Sequence, residues 1–148
     1  MANFEDVVEF HDKFDLGIRT SPGHLTRRKL QERIDFMQEE LNEFIEGANT
    51  QDLSEQADAL IDLVYVAMGT AHMLGLPWKQ LWDDVHRANM AKVRGIGKRG
   101  NLNDCIKPAD WTPPMTTTIL VHNGYSLESQ KYVAEYRDDK IHENPNDL

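Results

Sequence analysis

Apolar side chains recur at helical spacing along most of the chain. Over residues 4–14, Phe4, Val7, Val8, Phe10 (or His11) and Phe14 recur at helical spacing, which predicts a short amphipathic helix. Gly17, Pro22 and Gly23 then break the pattern. A second helix is expected over residues 25–47. Leu30, Ile34, Met37, Leu41, Phe44, Ile45 and Ala48 mark its buried face, and Gly47 and Asn49 offer a stop. Thr50 or Ser54 is placed to cap a third helix. From residue 59 to 74 this helix is apolar on nearly every side. Asp62 is its only charged residue there, with Thr70 and His72 as its other main polar side chains. Such a helix is expected to be central and buried. Gly75 and Pro77 end it, and residues 78–93 predict a fourth helix patterned by Leu81, Trp82, Val85, Ala88 (or Asn89) and Ala91 (or Lys92). Beyond it, "VRGIGKRGNLND" reads as a Gly-rich basic loop, and "IKPADWTPP" is non-helical because of Pro108, Pro113 and Pro114. "TTTILV" has the β-branched content of a strand, and "SLESQKYVAEYRDDK" has helical content before a frayed end. No internal repeat of fixed period is present.

Charge changes this picture at one place. The stretch "MQEELNEFIEG", residues 37–47, holds four glutamates and no lysine or arginine, although like charges three or four apart repel by a few tenths of a kcal/mol. Glu39, Glu40 and Glu43 fall within roughly one third of the helix circumference, beside the apolar stripe. Glu46 points furthest from them and reads as ordinary surface. On the third helix Glu55, Asp58 and Asp62 lie almost on a line. Antiparallel helices joined by a short loop pack as neighbours, so the two acidic patches can face each other. Asp62, within "ALIDLVYVAM", is the most informative residue. An ionised carboxylate in a buried helix costs several kcal/mol, and its neighbours one turn away, Asp58 and Val66, offer no cation. It is protonated, or a distant arginine reaches it, or a metal sits there. Two facing acidic patches without His or Cys form an all-oxygen site, which suits Mg²⁺ or Mn²⁺ rather than zinc. Phosphate oxygens commonly complete such a Mg²⁺ shell.

The chain has 148 residues, 40% hydrophobic and 28% charged, enough for one domain with a real core. Its net charge of −9 argues against a sequence-independent nucleic-acid binder, which needs a cationic surface. Phosphate-bearing small molecules remain open, because a metal reverses the local sign. Cys105 is the only cysteine, so neither a disulfide framework nor a thiolate zinc site is expected. "MANFEDVVEF" lacks the basic and apolar regions of a secretion signal, and no apolar run reaches bilayer length. A soluble, cytoplasmic protein without a membrane partner is expected. The densest positive run, "VHRANMAKVRGIGKRG", carries His86, Arg87, Lys92, Arg94, Lys98 and Arg99. By itself it complements a helix dipole; beside a metal site it makes a triphosphate clamp.

Taken together, "EELNE", "ADALIDLVYVAMGTAHMLG", "VHRANMAK" and "KPADWTPP" resemble the all-α nucleoside triphosphate pyrophosphohydrolases. These are the MazG-like and phosphoribosyl-ATP pyrophosphohydrolase-like enzymes, related to the dimeric dUTPases. The similarity covers residues 10–114. It implies an all-α fold, a four- to five-helix bundle of the MazG-like type over residues 1–114, assembling as a homodimer or homotetramer. Residues 115–148 then form an irregular C-terminal extension, which covers the site or a subunit interface. The resemblance also implies Mg²⁺, with Mn²⁺ able to substitute, held between two central helices. Glu39, Glu40 and Glu43 fall on the family's EExxE, and Asp62 on the aspartate of its ExxD. The glutamate expected three residues before Asp62 is Ala59 here. Asp58 lies on the same face and can substitute, which favours Asp58 and Asp62 as ligands; alternatively Glu55 and Asp58 form the motif one turn earlier. Asn89 and Lys92 match the family's phosphate-side residues.

The expected chemistry is attack of water on a phosphorus of a (deoxy)nucleoside triphosphate, the α one favoured, releasing the monophosphate and pyrophosphate. Glu39 or Glu40 would orient or deprotonate the water, and Lys92 with Arg94 or Lys98 would hold the other phosphates. The base is open, with dGTP/GTP and dUTP-type substrates both compatible. Two rivals are weighed. A di-iron bundle wants an acidic residue three before a histidine on two helices, and within the predicted helices Asp83 and His86 alone offer that. A non-catalytic helical interaction protein would use the acidic face to bind a cationic partner.

Overall fold

The computed structural model describes residues 2–17 and 19–128. Its elements are α1 (Ala2–Lys13), α2 (Arg27–Asn49), α3 (Leu53–Met73), α4 (Trp78–Met90), the strands β1 (Val93–Gly95) and β2 (Asp104–Ile106), and α5 (Thr116–His122). The fold is all-α, with a minor two-stranded antiparallel hairpin that pairs Val93 with Ile106.

The long pair α2 and α3 is the frame. Thr26 Oγ1 accepts from the Lys29 N–H at 3.3 Å to start α2, satisfying one of the amides that a helix start leaves unpaired. The turn into α3 is short, and Gln51 adopts a left-handed φ of 58° within it. The cap of α3 is Asp52, whose Oδ1 accepts from the Glu55 N–H at 3.1 Å. Neither Thr50 nor Ser54 takes that role; Thr50 closes α2 instead. Gly47 is not the stop either. It is buried inside α2, where an added Cβ would lie 2.9 Å from the Gln56 backbone nitrogen. Its missing side chain lets the helices approach, and Gln56 Nε2 donates to its carbonyl at 3.0 Å.

The contact line of α2 on α3 is Arg33, Glu40 and Gly47, spaced seven apart. Arg33 reaches Val66 and Thr70, Glu40 faces Asp58 and Asp62, and Gly47 meets Gln56. The apolar stripe read from the sequence is rotated away from this line. Leu41 and Ile45 are exposed, as is Ala48. The expected all-round burial of α3 also fails within one chain. Ala59, Met68, Ala71 and Met73 are buried, but Leu53 is 77% exposed, Ile61 68%, and Leu60 and Val64 nearly half. The apolar surface of α3 exceeds what α1 and α2 can cover.

On α1 the buried residues are Val7 and His11, while Phe10 and Phe14 stay exposed. Phe4 stacks on Trp78 with ring centroids 5.3 Å apart. Helix α4 ends at Met90, and the expected basic loop contains the hairpin. Residues 111–123 then run back along α4. Trp111 Nε1 donates to the Ala88 carbonyl at 2.6 Å, Arg87 donates to Thr112 and Pro113, and the Met115 N–H donates to Asp84. "TTTILV" is helix α5 rather than a strand. Packing against α4 overrides a β propensity that depends on context, and Asn123 Nδ2 ties α5 to Gln80 at 3.0 Å. The helical reading of residues 126–140 lies, from residue 129 onward, outside the described residues. Among the described residues no helix is long and apolar enough to cross a membrane.

Candidate metal and phosphate site

The antiparallel hairpin of α2 and α3 brings the two acidic patches together. A cleft of about 450 Å³ is lined by Asp35, Gln38, Glu39, Asn42, Glu43, Glu46 and Glu55. Glu55 is shared with a second cleft of about 710 Å³, which it lines with Asp52, Ser54, Ala57, Asp58 and Ile61. Glu46, expected to point away, therefore stands at the same cleft as Glu39 and Glu43. Glu55 joins α3 to that group, whereas Asp58 and Asp62 act on Glu40.

Glu40 is the centre of the repulsion. Its Oε2 is buried with no hydrogen-bond partner. Burial pushes its carboxyl above the usual range, and Glu43, Asp62, Glu39 and Asp58 add to the shift in that order. None of Glu39, Glu40, Glu43, Glu55, Asp58 and Asp62 forms an ion pair with a described residue. Asp62 differs from its sequence reading: it is exposed in this chain, because the apolar residues around it are exposed too. As the side chains stand, no three His, Cys, Asp or Glu groups among the described residues are gathered closely enough to hold a metal ion. The donors are nonetheless all oxygen, mostly on exposed and rotatable side chains, and Glu40 presents an orphaned oxygen. That donor set fits a hard divalent cation.

The basic run lies elsewhere in the chain. Lys92 Nζ donates to Asn89 Oδ1 at 2.9 Å, so these two residues do meet. Arg94 is exposed on β1 and Lys98 in the turn after it. Neither acidic cleft is lined by a residue of α4 or the hairpin.

A second polar cluster was not legible as a site in the sequence. At the far end of the α2–α3 contact, Arg33 Nε donates to Thr70 Oγ1 at 3.0 Å and Nη2 to the Val66 carbonyl at 2.9 Å. A Cβ on Gly69 would fall 2.5 Å from His11 Nε2 and 3.1 Å from Arg33 Nη2, so α1, α2 and α3 converge there. His11 is only 2% exposed and its Nδ1 has no partner. Burial lowers its pKa, with Arg33 and then His72 adding to the effect and Asp12 opposing it. The one available signal was Arg33 seven residues before Glu40, two turns away on the same face.

The family model described as phosphoribosyl-ATP pyrophosphohydrolase matches residues 7–89. The chain belongs to this family. The match runs from α1 through Asn89 and takes in both acidic patches. Lys92, Arg94, Lys98 and "KPADWTPP" lie beyond it. Within the phosphoribosyl-ATP pyrophosphohydrolase family, the activity that follows for this chain is pyrophosphohydrolysis. No curated protein matches the chain.

Proposed function

We propose that the chain hydrolyses a (deoxy)nucleoside triphosphate to the monophosphate and pyrophosphate with Mg²⁺ or Mn²⁺. The observation that carries this reading is Glu40, whose buried, unpartnered Oε2 lies among four further carboxylates with no ion pair to a described residue. Such a cluster is stabilised by added positive charge. Glu39, Glu40, Glu43, Asp58 and Asp62 would hold the metal, with Glu55 an additional ligand at the shared edge of the two clefts. The metal supplies charge neutralisation at the phosphates and a lowered pKa for bound water. Glu39 or Glu40, in its ionised form, orients and deprotonates the attacking water. Asn89, Lys92, Arg94 and Lys98 take the remaining phosphate oxygens, their cationic groups as charge-assisted donors.

The same reading includes a homodimer or homotetramer. Leu53, Leu60, Ile61 and Val64 are exposed on α3, with Leu41 and Ile45 on α2. Burying each fully against another copy is worth roughly 1.5–3 kcal/mol. Such an assembly also gives the basic run of one copy a route to the carboxylates of another. Light scattering of the purified chain tests it, and a monomer at micromolar concentration would remove it.

The decisive experiment incubates the protein with a panel of ribo- and deoxyribonucleoside triphosphates and Mg²⁺ or Mn²⁺. Pyrophosphate release is followed, with a chelator as control. Metal-dependent release from at least one triphosphate is expected; none from any of them overturns the proposal.

A further inference from the structure

Arg33 carries a charge that the proposed chemistry does not use. It lies on the Glu40 line of α2, seven residues earlier, about 10 Å along the helix axis. Its guanidinium is half-buried, and its hydrogen bonds to described residues go to a hydroxyl and a carbonyl, Thr70 and Val66. It forms no ion pair with a described residue. A desolvated guanidinium without a carboxylate is costly to keep. Of its five N–H donors, those two bonds use Nε and one on Nη2. Nη1 has no hydrogen-bond partner among the described residues and is not sealed in the interior. The flat fork is therefore still open on its outer edge. The guanidinium lies over the half-exposed ring of Phe36, its carbon 5.5 Å from the ring centroid.

We propose that Arg33 reads the nucleobase. Its open fork takes a base edge that carries two adjacent acceptors and no donor, the O6/N7 edge of a guanine-type purine, and Phe36 offers the stacking surface. Guanidinium is donor-only, so the matching edge of adenine, with an amino group in place of O6, is rejected. The proposal rests on the triphosphate reading above. It also fits the spacing, because a nucleotide whose phosphates lie at Glu40 extends its base by about the two helical turns that separate Glu40 from Arg33. A purely structural clamp between α2 and α3 needs only the two bonds to Thr70 and Val66.

The test compares kcat/KM for dGTP, dITP, dATP, dCTP, dUTP and 7-deaza-dGTP, in the wild type and in Arg33→Lys, which keeps the charge and loses the fork. In the wild type dGTP and dITP should exceed dATP by about 10- to 100-fold, and removal of N7 should cost a similar factor. In Arg33→Lys the preference should collapse to within about threefold while turnover persists. Equal wild-type turnover of dGTP and dATP overturns the assignment, as does a faster pyrimidine triphosphate or an unchanged preference in Arg33→Lys. If that variant does not fold, the wild-type comparison of dGTP with its 7-deaza analogue decides alone. Absence of turnover with every triphosphate defeats the hydrolase reading itself, a different result from turnover without base preference.

Discussion

The two ends of the α2–α3 contact handle polar groups in opposite ways. At one end Arg33 donates to Thr70 and Val66, and His11 of α1 closes over them at Gly69 with its own Nδ1 unpartnered. At the other end Glu40 keeps an orphaned oxygen, and the surrounding carboxylates add only repulsion. The same two helices, a few turns apart, make a hydrogen-bonded joint and a knot of like charge. Buried polar groups without partners cost 1–3 kcal/mol each. The proposed function offsets that cost at Glu40 with a cation.

The largest expected effect breaks the acidic end. Asp62→Asn and Glu40→Gln should each lower kcat/KM by more than about 100-fold, beyond the 10- to 100-fold that losing an outer-shell partner costs a metal site. Steady-state kinetics with the preferred triphosphate measures it. An Asp62→Asn enzyme that still turns over normally removes Asp62 from the site.

The joint is broken next. Gly69→Ala places a methyl against His11 and Arg33, and should destabilise the chain by about 1–3 kcal/mol, as overpacking does. Urea unfolding reads this, and an unchanged midpoint would show that α1 is not seated as described.

A smaller, pH-dependent effect separates the two ends. His11 is held neutral, its pKa below the ordinary value of about 6.5. The unfolded chain therefore binds this proton more readily. Stability from this group is complete above about pH 6.5 and declines as pH falls from there toward the depressed folded value. His11→Asn should flatten that part of the profile in denaturant titrations between pH 5 and 8.

Glu40 has the opposite sign. Its folded pKa lies above the ordinary carboxylate value, so its contribution to stability falls as pH rises through the window between the two. In chelator at neutral pH, Glu40→Gln should melt slightly higher than the wild type and gain less from added Mg²⁺. Equal gains in the two proteins would show that Glu40 does not meet the cation.

Much of this could be read along the chain. Helical spacing gave α1 to α4 to within a few residues, and the acidic patches of α2 and α3 were visible as lines on helix faces. Asn89 and Lys92, adjacent by spacing, do bond to each other. The errors share one cause, that local pattern does not say which neighbour a face meets. "TTTILV" became helix α5 because α4 was there to pack on. Period alone places Leu41, Ile45 and Ala48 in the core, yet the α3 contact follows Arg33, Glu40 and Gly47, where glycine permits close approach. The apolar neighbours of Asp62 predict its burial, but within one chain those neighbours are exposed.

The sequence by itself determined helices α1 to α4 and the clustering of like charge, because both depend on separations of three, four and seven residues along one chain. Only the tertiary structure decided that Glu40 holds the orphaned oxygen, that Glu46 and Glu55 stand at the acidic clefts, and that Arg33 keeps an open fork beside Phe36. Those properties depend on how close α1, α2 and α3 approach and on what is left unpaired between them. No periodicity within a single helix encodes that distance.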